Sequence, residues 1–420
     1  MEHLNKVILQ IKNAIITKPD IELVLYCRTL FTKQLIIGLA KHDICPLCVC
    51  DENPDLHGTL YEGLDVMSID SAKEKFGKFL IYIANIQKLY EIIHKLEEKG
   101  IDGAEQIINY SKLSKRRGCY FLTGRCVVVN NNLHFCCGDT DKLWQTPSVR
   151  FTGDYNKLVN DFIDLRDKTM NELEEGITNL CSDCRMVKDV FVPVSYKISS
   201  ITDGRFFSCN FNCVYCCSIR DTEDNNIDLP TLIKTLEDKN LIDDNANVYY
   251  SNGEITVYKG RNEIYRCLER FTQNKIFTNA LLYSPEISKL MQTNTDIMVS
   301  MDAGTPETFY KIKGVDAWER VCKTLRRYKD EASGSAIELK YIFLPGLNDN
   351  KTDIEGFFDL VSEIKPGRIF ISSDYTHPEL INEHTIEMAR YFYKSAKNLK
   401  IPLSCASQVF SEILNISYTT

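Results

Sequence analysis

From residue 195 onward, short apolar runs alternate with longer amphipathic stretches, and nothing else in the sequence constrains the fold as much. The apolar runs fall at 195–201, 247–251, 275–279, 296–301, 337–343 and 368–372. Helical periodicity occupies 229–238, 261–271, 316–328 and 350–363 between them, and 384–398 after them. Strand–helix alternation of this kind predicts a parallel sheet whose six strands are joined by crossover helices, an open, partial TIM-type barrel. Ligands of such sheets gather at the carboxyl ends of the strands. The loop after the first run carries Cys209-Asn210-Phe211-Asn212-Cys213-Val214-Tyr215-Cys216, so three thiols in C-x3-C-x2-C spacing open at that end. Three thiolates are one fewer than the set that usually holds a 4Fe–4S cluster, which leaves one iron open to another ligand. Structural zinc is the alternative, but the loop has no histidine and no paired C-x2-C knuckles. Cys217 follows directly and competes with Cys216 as a ligand.

The chain is long enough for two or three domains. Its net charge of −8 gives no general attraction to nucleic acid or to anionic membrane, and no apolar run reaches the length of a membrane span. The opening MEHLNKVILQIKNAII mixes charged and apolar residues, reading as an amphipathic helix and not as a signal peptide. Seventeen cysteines in such a chain argue for metal ligation in the cytoplasm over disulfides. Cys267 and Cys322 sit at helical core spacing and carry no chemistry.

Residues 1–110 alternate strands at 22–27, 44–51 and 78–85 with helices at 31–42 and 86–100, a small parallel α/β unit that resembles Rossmann-like regions. Its first strand-to-helix turn, Cys27 to Phe31, lacks the glycines that a pyrophosphate contact needs. Asp51 alone holds the place of a ribose-binding acid. The unit is therefore expected to dock a substrate or partner and not to bind NAD. Cys48 and Cys50 share one strand face and Cys45 points to the other, so these read as buried strand thiols. Residues 111–190 hold a hairpin that delivers Cys136 and Cys137, a helix at 154–176, and the pair Cys181 and Cys184. Residues 191–420 form the barrel.

The cysteine loop resembles that of the radical S-adenosylmethionine (radical SAM) superfamily, and the resemblance covers roughly residues 115–400. It implies a catalytic 4Fe–4S cluster on Cys209, Cys213 and Cys216, with S-adenosylmethionine on the open iron and Tyr215 by the adenine. Reductive cleavage then releases a 5′-deoxyadenosyl radical that abstracts hydrogen. Ser251 to Thr256 resembles the family's Gly-Gly-Glu motif, with Asn252 in place of the first glycine. Asn252, Gly253 and Glu254 would receive the amine; the alternative for Glu254 is a solvated loop acid. Val299 to Thr308 resembles the serine–x–aspartate segment, in which Ser300 binds the carboxylate or ribose. Asp302 then either binds ribose hydroxyls or caps the next helix. Leu344 to Asp349 matches a turn of architectural character.

The order of the cysteines in 111–190 resembles a SPASM or half-SPASM ("twitch") auxiliary-cluster module, here preceding the barrel where it usually follows. Asn130-Asn131 takes the turn position, and counting from it selects Cys136 over Cys137. Cys119, Cys136, Cys181 and Cys184 would complete an auxiliary 4Fe–4S site, with Cys126 in reserve and four-cysteine zinc as the alternative. The resemblance implies an oxidoreductase or related enzyme acting on a peptide or on a sugar or nucleotide-sugar, reduced by a flavodoxin or ferredoxin. A glycyl-radical-type activase and a non-catalytic metal-binding regulator are the competing readings. The acidic balance sets nucleic acid aside as a partner.

Overall fold

The computed structural model describes residues 2–85, 88–136, 147–184, 186–193, 197–204, 208–216, 227–251, 253–271, 273–374 and 377–416. The amino-terminal unit is built on Leu23–Tyr26, whose parallel neighbours are Val49–Cys50 and Leu80–Ile83. Leu64–Met67 extends the sheet in parallel, and Leu60–Tyr61 closes its edge antiparallel. The strand expected over 44–51 contracts to Val49–Cys50. Pro46 in that run has no N–H to give to a ladder. Cys48 and Cys50 are buried with their sulfurs 3.9 Å apart, and Cys45 is exposed.

Among the described residues the main sheet has ten strands. Ile198–Asp203, Ile242–Tyr250, Gln273–Phe277, Thr295–Ser300, Ile337–Phe343 and Arg368–Ser373 pair in parallel in sequence order. Two further parallel strands flank the six expected. Leu403–Cys405 is too short to show a period and pairs with Arg368–Ser373. Arg125–Val129 is the first arm of the expected hairpin, with Asn130 at φ +50 in its turn and Asn132–His134 as the second arm. It also pairs in parallel with Ile198–Asp203, Cys126 lying opposite Ile201. The cysteine-rich segment and the strands from Ile198 onward thus share one sheet. The helix expected over 154–176 is Tyr155–Glu174, and a two-stranded ribbon of Leu113–Gly118 and Lys188–Pro193 completes the segment.

Alternation along the strands sorts the two faces. Ile297, Val299, Leu339 and Ile371 are buried in one core with Val321, Phe357 and Phe392 of the helices. Lys275, Asp296, Ser300, Glu338 and Lys340 alternate with such core residues and so turn to the opposite face, where Lys275 and Glu338 form an ion pair at 2.6 Å. The helix Lys351–Ile364 presses onto the loop after Thr295–Ser300 so closely that a Cβ on Gly304 would lie 1.9 Å from the Asp353 carbonyl.

The amino-terminal unit meets the main sheet at the amino ends of its strands. Gln273 donates to the Ala84 carbonyl at 3.5 Å and Tyr90 to Asp243 at 3.2 Å, while His94 stacks on Phe191 of the two-stranded ribbon. Ala84 directly follows Leu80–Ile83, so the carboxyl edge of the small sheet is turned toward the larger one. Among the described residues no helix is long and apolar enough to cross a membrane.

Candidate active site

The cysteine loop leaves the carboxyl end of Ile198–Asp203 and is anchored between its thiols. Phe211 inserts into the main core, edge-on to Phe309. The N–H groups of Asn212 and Val214 donate to the carbonyls of Lys313 and Ile312, both at 3.0 Å, at the end of the helix Pro306–Lys313. Tyr215 turns inward, and its hydroxyl donates to Asp302 at 2.5 Å while accepting from Lys313 at 2.7 Å. Cys209 and Cys216 are left exposed and Cys213 half-buried. Cys217 and Asn252 lie outside the described residues.

The thiols differ in their surroundings. Burial pushes Cys209 up, while the Phe211 N–H at 3.4 Å and the Asn279 amide at 3.7 Å pull it back by donating to sulfur. Burial likewise pushes Cys213 up, and the Lys313 ammonium opposes it. Donors and a cation aimed at sulfur favour the thiolate, the form that binds metal. Among the described residues no three Cys, His, Asp or Glu side chains are gathered as a preformed metal centre. The donor set nonetheless fits an iron–sulfur cluster: three thiols on one pinned loop, no competing histidine, and N–H donors toward sulfur.

Glu254 is fully buried, which overturns the solvated-acid alternative. Its carboxylate accepts from the Thr256 N–H and hydroxyl, from the Thr278 hydroxyl, and from the Asn279 N–H at 2.5 Å. Burial pushes its pKa up and these donors pull it down. The Glu254 N–H donates to the Ser208 carbonyl at 2.7 Å, and Gly253 beside it has φ +63. Glu254 therefore joins three loops at the carboxyl edge. Asn279 continues the chain of contacts, donating to Asn210 at 2.5 Å as well as to Cys209.

Asp302 is also fully buried, at φ +56, a left-handed conformation uncommon for a residue with a Cβ. One oxygen accepts from Lys313 and Tyr215, the other from the Ile342 N–H at 2.7 Å. It does not cap the following helix; Thr305 does, accepting from the Thr308 N–H at 3.2 Å. Ser300 ends its strand half-buried beside Lys340 and makes no side-chain hydrogen bond among the described residues.

The second cysteine set lies at the opposite edge. Cys119 precedes Arg125–Val129, and Cys136 follows its antiparallel partner, so both sit toward the amino ends of the parallel strands. Cys119 accepts from the Leu122 N–H at 3.4 Å. Burial pushes it up to about 11, with Cys181 and Cys184 near enough to add to the effect. Cys181 is also pushed up to about 11 by burial, with contributions from Cys184 and Cys136. Cys119 thus lies within electrostatic reach of Cys181 and Cys184, and Cys181 within reach of Cys136. Cys126 is sealed in the sheet, pushed up to about 12 by burial alone, with no other thiol acting on it. Cys137 lies outside the described residues.

Lys313 and Asn279 escaped the sequence reading. A lysine before a glycine at a helix end reads as a solvated last-turn cation. Asn279 had one usable signal, its place directly after a strand at the ligand-bearing edge.

In the amino-terminal unit, Asp51 accepts from the Arg28 N–H at 2.8 Å and the Asn53 N–H at 2.9 Å. Its carboxylate caps the turn that lacks glycines.

Residues 206–361 match the family model of the radical SAM superfamily. Those residues form a radical SAM domain. Similarity to curated proteins is distant. It is 28% identical over 199 residues to a probable GTP 3′,8-cyclase of Saccharolobus islandicus, across 46% of this chain and 59% of that one. It is 24% identical over 268 residues to a GTPase Obg of Brachyspira hyodysenteriae, across 57% of this chain and 39% of that one. The chain thus spans less than two thirds of either relative. Among solved structures it is similar to Streptococcus suis SuiB bound to its precursor peptide SuiA, with TM-score 0.42 and 12% identity over 66% of this chain and 72% of that one. A radical SAM methyltransferase from Sphaerobacter thermophilus gives TM-score 0.38 and 12% identity over 61% and 84%. A radical SAM domain supports an enzyme and implies a 4Fe–4S cluster and S-adenosylmethionine.

Proposed function

We propose that this radical SAM enzyme cleaves S-adenosylmethionine reductively and takes hydrogen from a substrate at the carboxyl edge of the main sheet, read here as a partial barrel. The observation that carries the proposal is the anchored loop: three thiols left clear, with Phe211, Tyr215 and two backbone N–H groups fixing the residues between them. Cys209, Cys213 and Cys216 would hold the cluster, which when bound supplies the electron that cleaves the cosubstrate. Asn279 and Phe211 place donors at Cys209. Glu254 and Asp302 act chiefly by fixing the loops against which S-adenosylmethionine would lie. Gly253 supplies backbone there, and the Ser300 hydroxyl is the side chain best placed to bind it.

Cys119, Cys136, Cys181 and Cys184 would hold an auxiliary 4Fe–4S cluster in a SPASM-like or twitch-like segment. A site closed by four thiols has no open iron, so its role is electron transfer and not substrate chelation. The amino-terminal unit, read as Rossmann-like, would dock a substrate or partner. A peptide and a sugar or nucleotide-sugar are the substrates to screen, and the cyclase relative adds a purine nucleoside triphosphate. A reductant such as flavodoxin or ferredoxin and a cytoplasmic location complete the proposal.

The test is anaerobic reconstitution of the whole chain. About eight irons per chain and 5′-deoxyadenosine on reduction are expected. Four irons with stoichiometric zinc would remove the auxiliary cluster and keep the catalytic one. Iron without any cleavage would return the chain to a metal-binding regulator.

A further inference from the structure

We propose that Lys313, Asp302 and Tyr215 form a buried clasp that holds the cysteine loop in the shape a cluster needs, making Lys313 a positioning residue of the site. The Lys313 side chain is 2% exposed and that of Asp302 wholly enclosed. Such an ion pair is seldom kept for stability, because well-packed apolar residues of like volume serve as well or better. What the pair provides here is direction. Asp302 is fixed from several sides: by the Ile342 N–H on one oxygen, by the Lys313 ammonium on the other, and by Asn348, whose amide donates to the Asp302 carbonyl at 2.7 Å. Its left-handed backbone persists only where surrounding structure over-determines it.

Tyr215 is how the loop reaches this fixed point. Its hydroxyl bonds both charged partners, and the ammonium lies 5.0 Å from its ring centroid. The same lysine contributes its carbonyl to the Asn212 N–H, and Ile312 contributes one to Val214. Gly314 then turns left-handed, and a Cβ there would lie 3.0 Å from the Asn212 carbonyl. The residues held are those between the cysteines, so the clasp sets where the thiols emerge without touching a cosubstrate. This role is distinct from an adenine contact by Tyr215 or a ribose contact by Asp302.

The inference rests on reading Cys209 to Cys216 as the cluster loop, yet its test needs no metal. Amide hydrogen exchange is followed in the full-length, cluster-free protein, comparing the unaltered chain with Tyr215→Phe. A second variant, Asp302→Asn with Lys313→Met, removes both charges together and leaves no buried ion unpaired. In both, exchange of the amides at 209–216 should accelerate roughly tenfold, the worth of one hydrogen bond to a charged group. Exchange in Ile198–Asp203 and Thr295–Ser300 should stay as in the unaltered chain. Unchanged exchange in the loop, or equal acceleration in those strands, would overturn the clasp. Failure of the unaltered protein to take up iron would defeat the cluster reading alone, because the exchange result does not depend on it.

Discussion

The two cysteine sets of this molecule occupy opposite edges of one sheet and are presented in opposite ways. Cys209 and Cys216 are exposed on a loop whose intervening residues are pinned inward. Cys119 is buried at a helix start, and Cys136, Cys181 and Cys184 are half-buried. A ligand set that must share its metal with a cosubstrate has to face an open space. A set that closes its own coordination sphere can be enclosed. Six residues of Ile198–Asp203, at about 3.3 Å each, put roughly 17–20 Å between the two edges. A cluster on the second set would therefore stand at the far edge from a substrate bound at the loop, and the roles proposed for it are electron transfer or architecture.

The most severe test of that contrast is to replace Cys209, Cys213 and Cys216 together by alanine. Formation of 5′-deoxyadenosine should vanish while about half the iron and its absorption remain. Continued cleavage would mean that the exposed set is not the catalytic one.

Replacing Cys181 and Cys184 by alanine should leave cleavage at a reduced rate and stop substrate product. Iron and 5′-deoxyadenosine measured on one preparation separate the two roles left to this set. Loss of both clusters would assign it to architecture, and full turnover without the second cluster would leave it neither role.

A smaller effect is expected from Glu254→Ala. It strands donors from Thr256, Thr278 and Asn279 inside the protein, at a cost of about 2–4 kcal/mol in denaturant unfolding. S-adenosylmethionine affinity should fall with it, since the displaced Asn279 also supports Cys209. Unchanged stability would mean that the carboxylate is not the joint between these loops.

The last effect falls on the sheet face between the two sets and is confined to the pH dependence of stability. Burial, reinforced by the Glu338 charge, pushes Asp296 up to about 7 from 3.8. The folded state then holds its proton more tightly than the unfolded one, so this group's contribution is greatest below about pH 4. It declines as pH rises toward 7, by roughly 2–4 kcal/mol at most. Asp296→Asn should flatten that decline in unfolding midpoints measured across the range. An unaltered profile would place the titration elsewhere.

Much of this was legible from the residues. The six central strands announce themselves as apolar runs with β-branched residues, and Asn130 marks the hairpin turn because asparagine tolerates positive φ. The loop of Cys209 to Cys216 was readable from spacing alone. What escaped is non-local. Nothing in the sequence around Lys313 tells that Asp302 and Tyr215 will enclose its ammonium. Register is likewise a property of pairs, so Arg125–Val129 looked like half a hairpin and gave no hint of its second partner. Leu403–Cys405 was simply too short to carry a period.

That second partner has a consequence for the order in which the chain matures. Arg125–Val129 is synthesised well before Ile198–Asp203, and until the latter emerges one side of the strand has no mate. The nascent hairpin then offers a bare apolar edge, the kind of surface that recruits strands from other chains. The helix Tyr155–Glu174 emerges in the interval but packs on Asn132–His134 and Ser148–Arg150, on the other side of the hairpin, and leaves that edge open. Fragments ending short of residue 198 should accordingly aggregate even with every thiol kept reduced, and extending them through residue 203 should restore solubility.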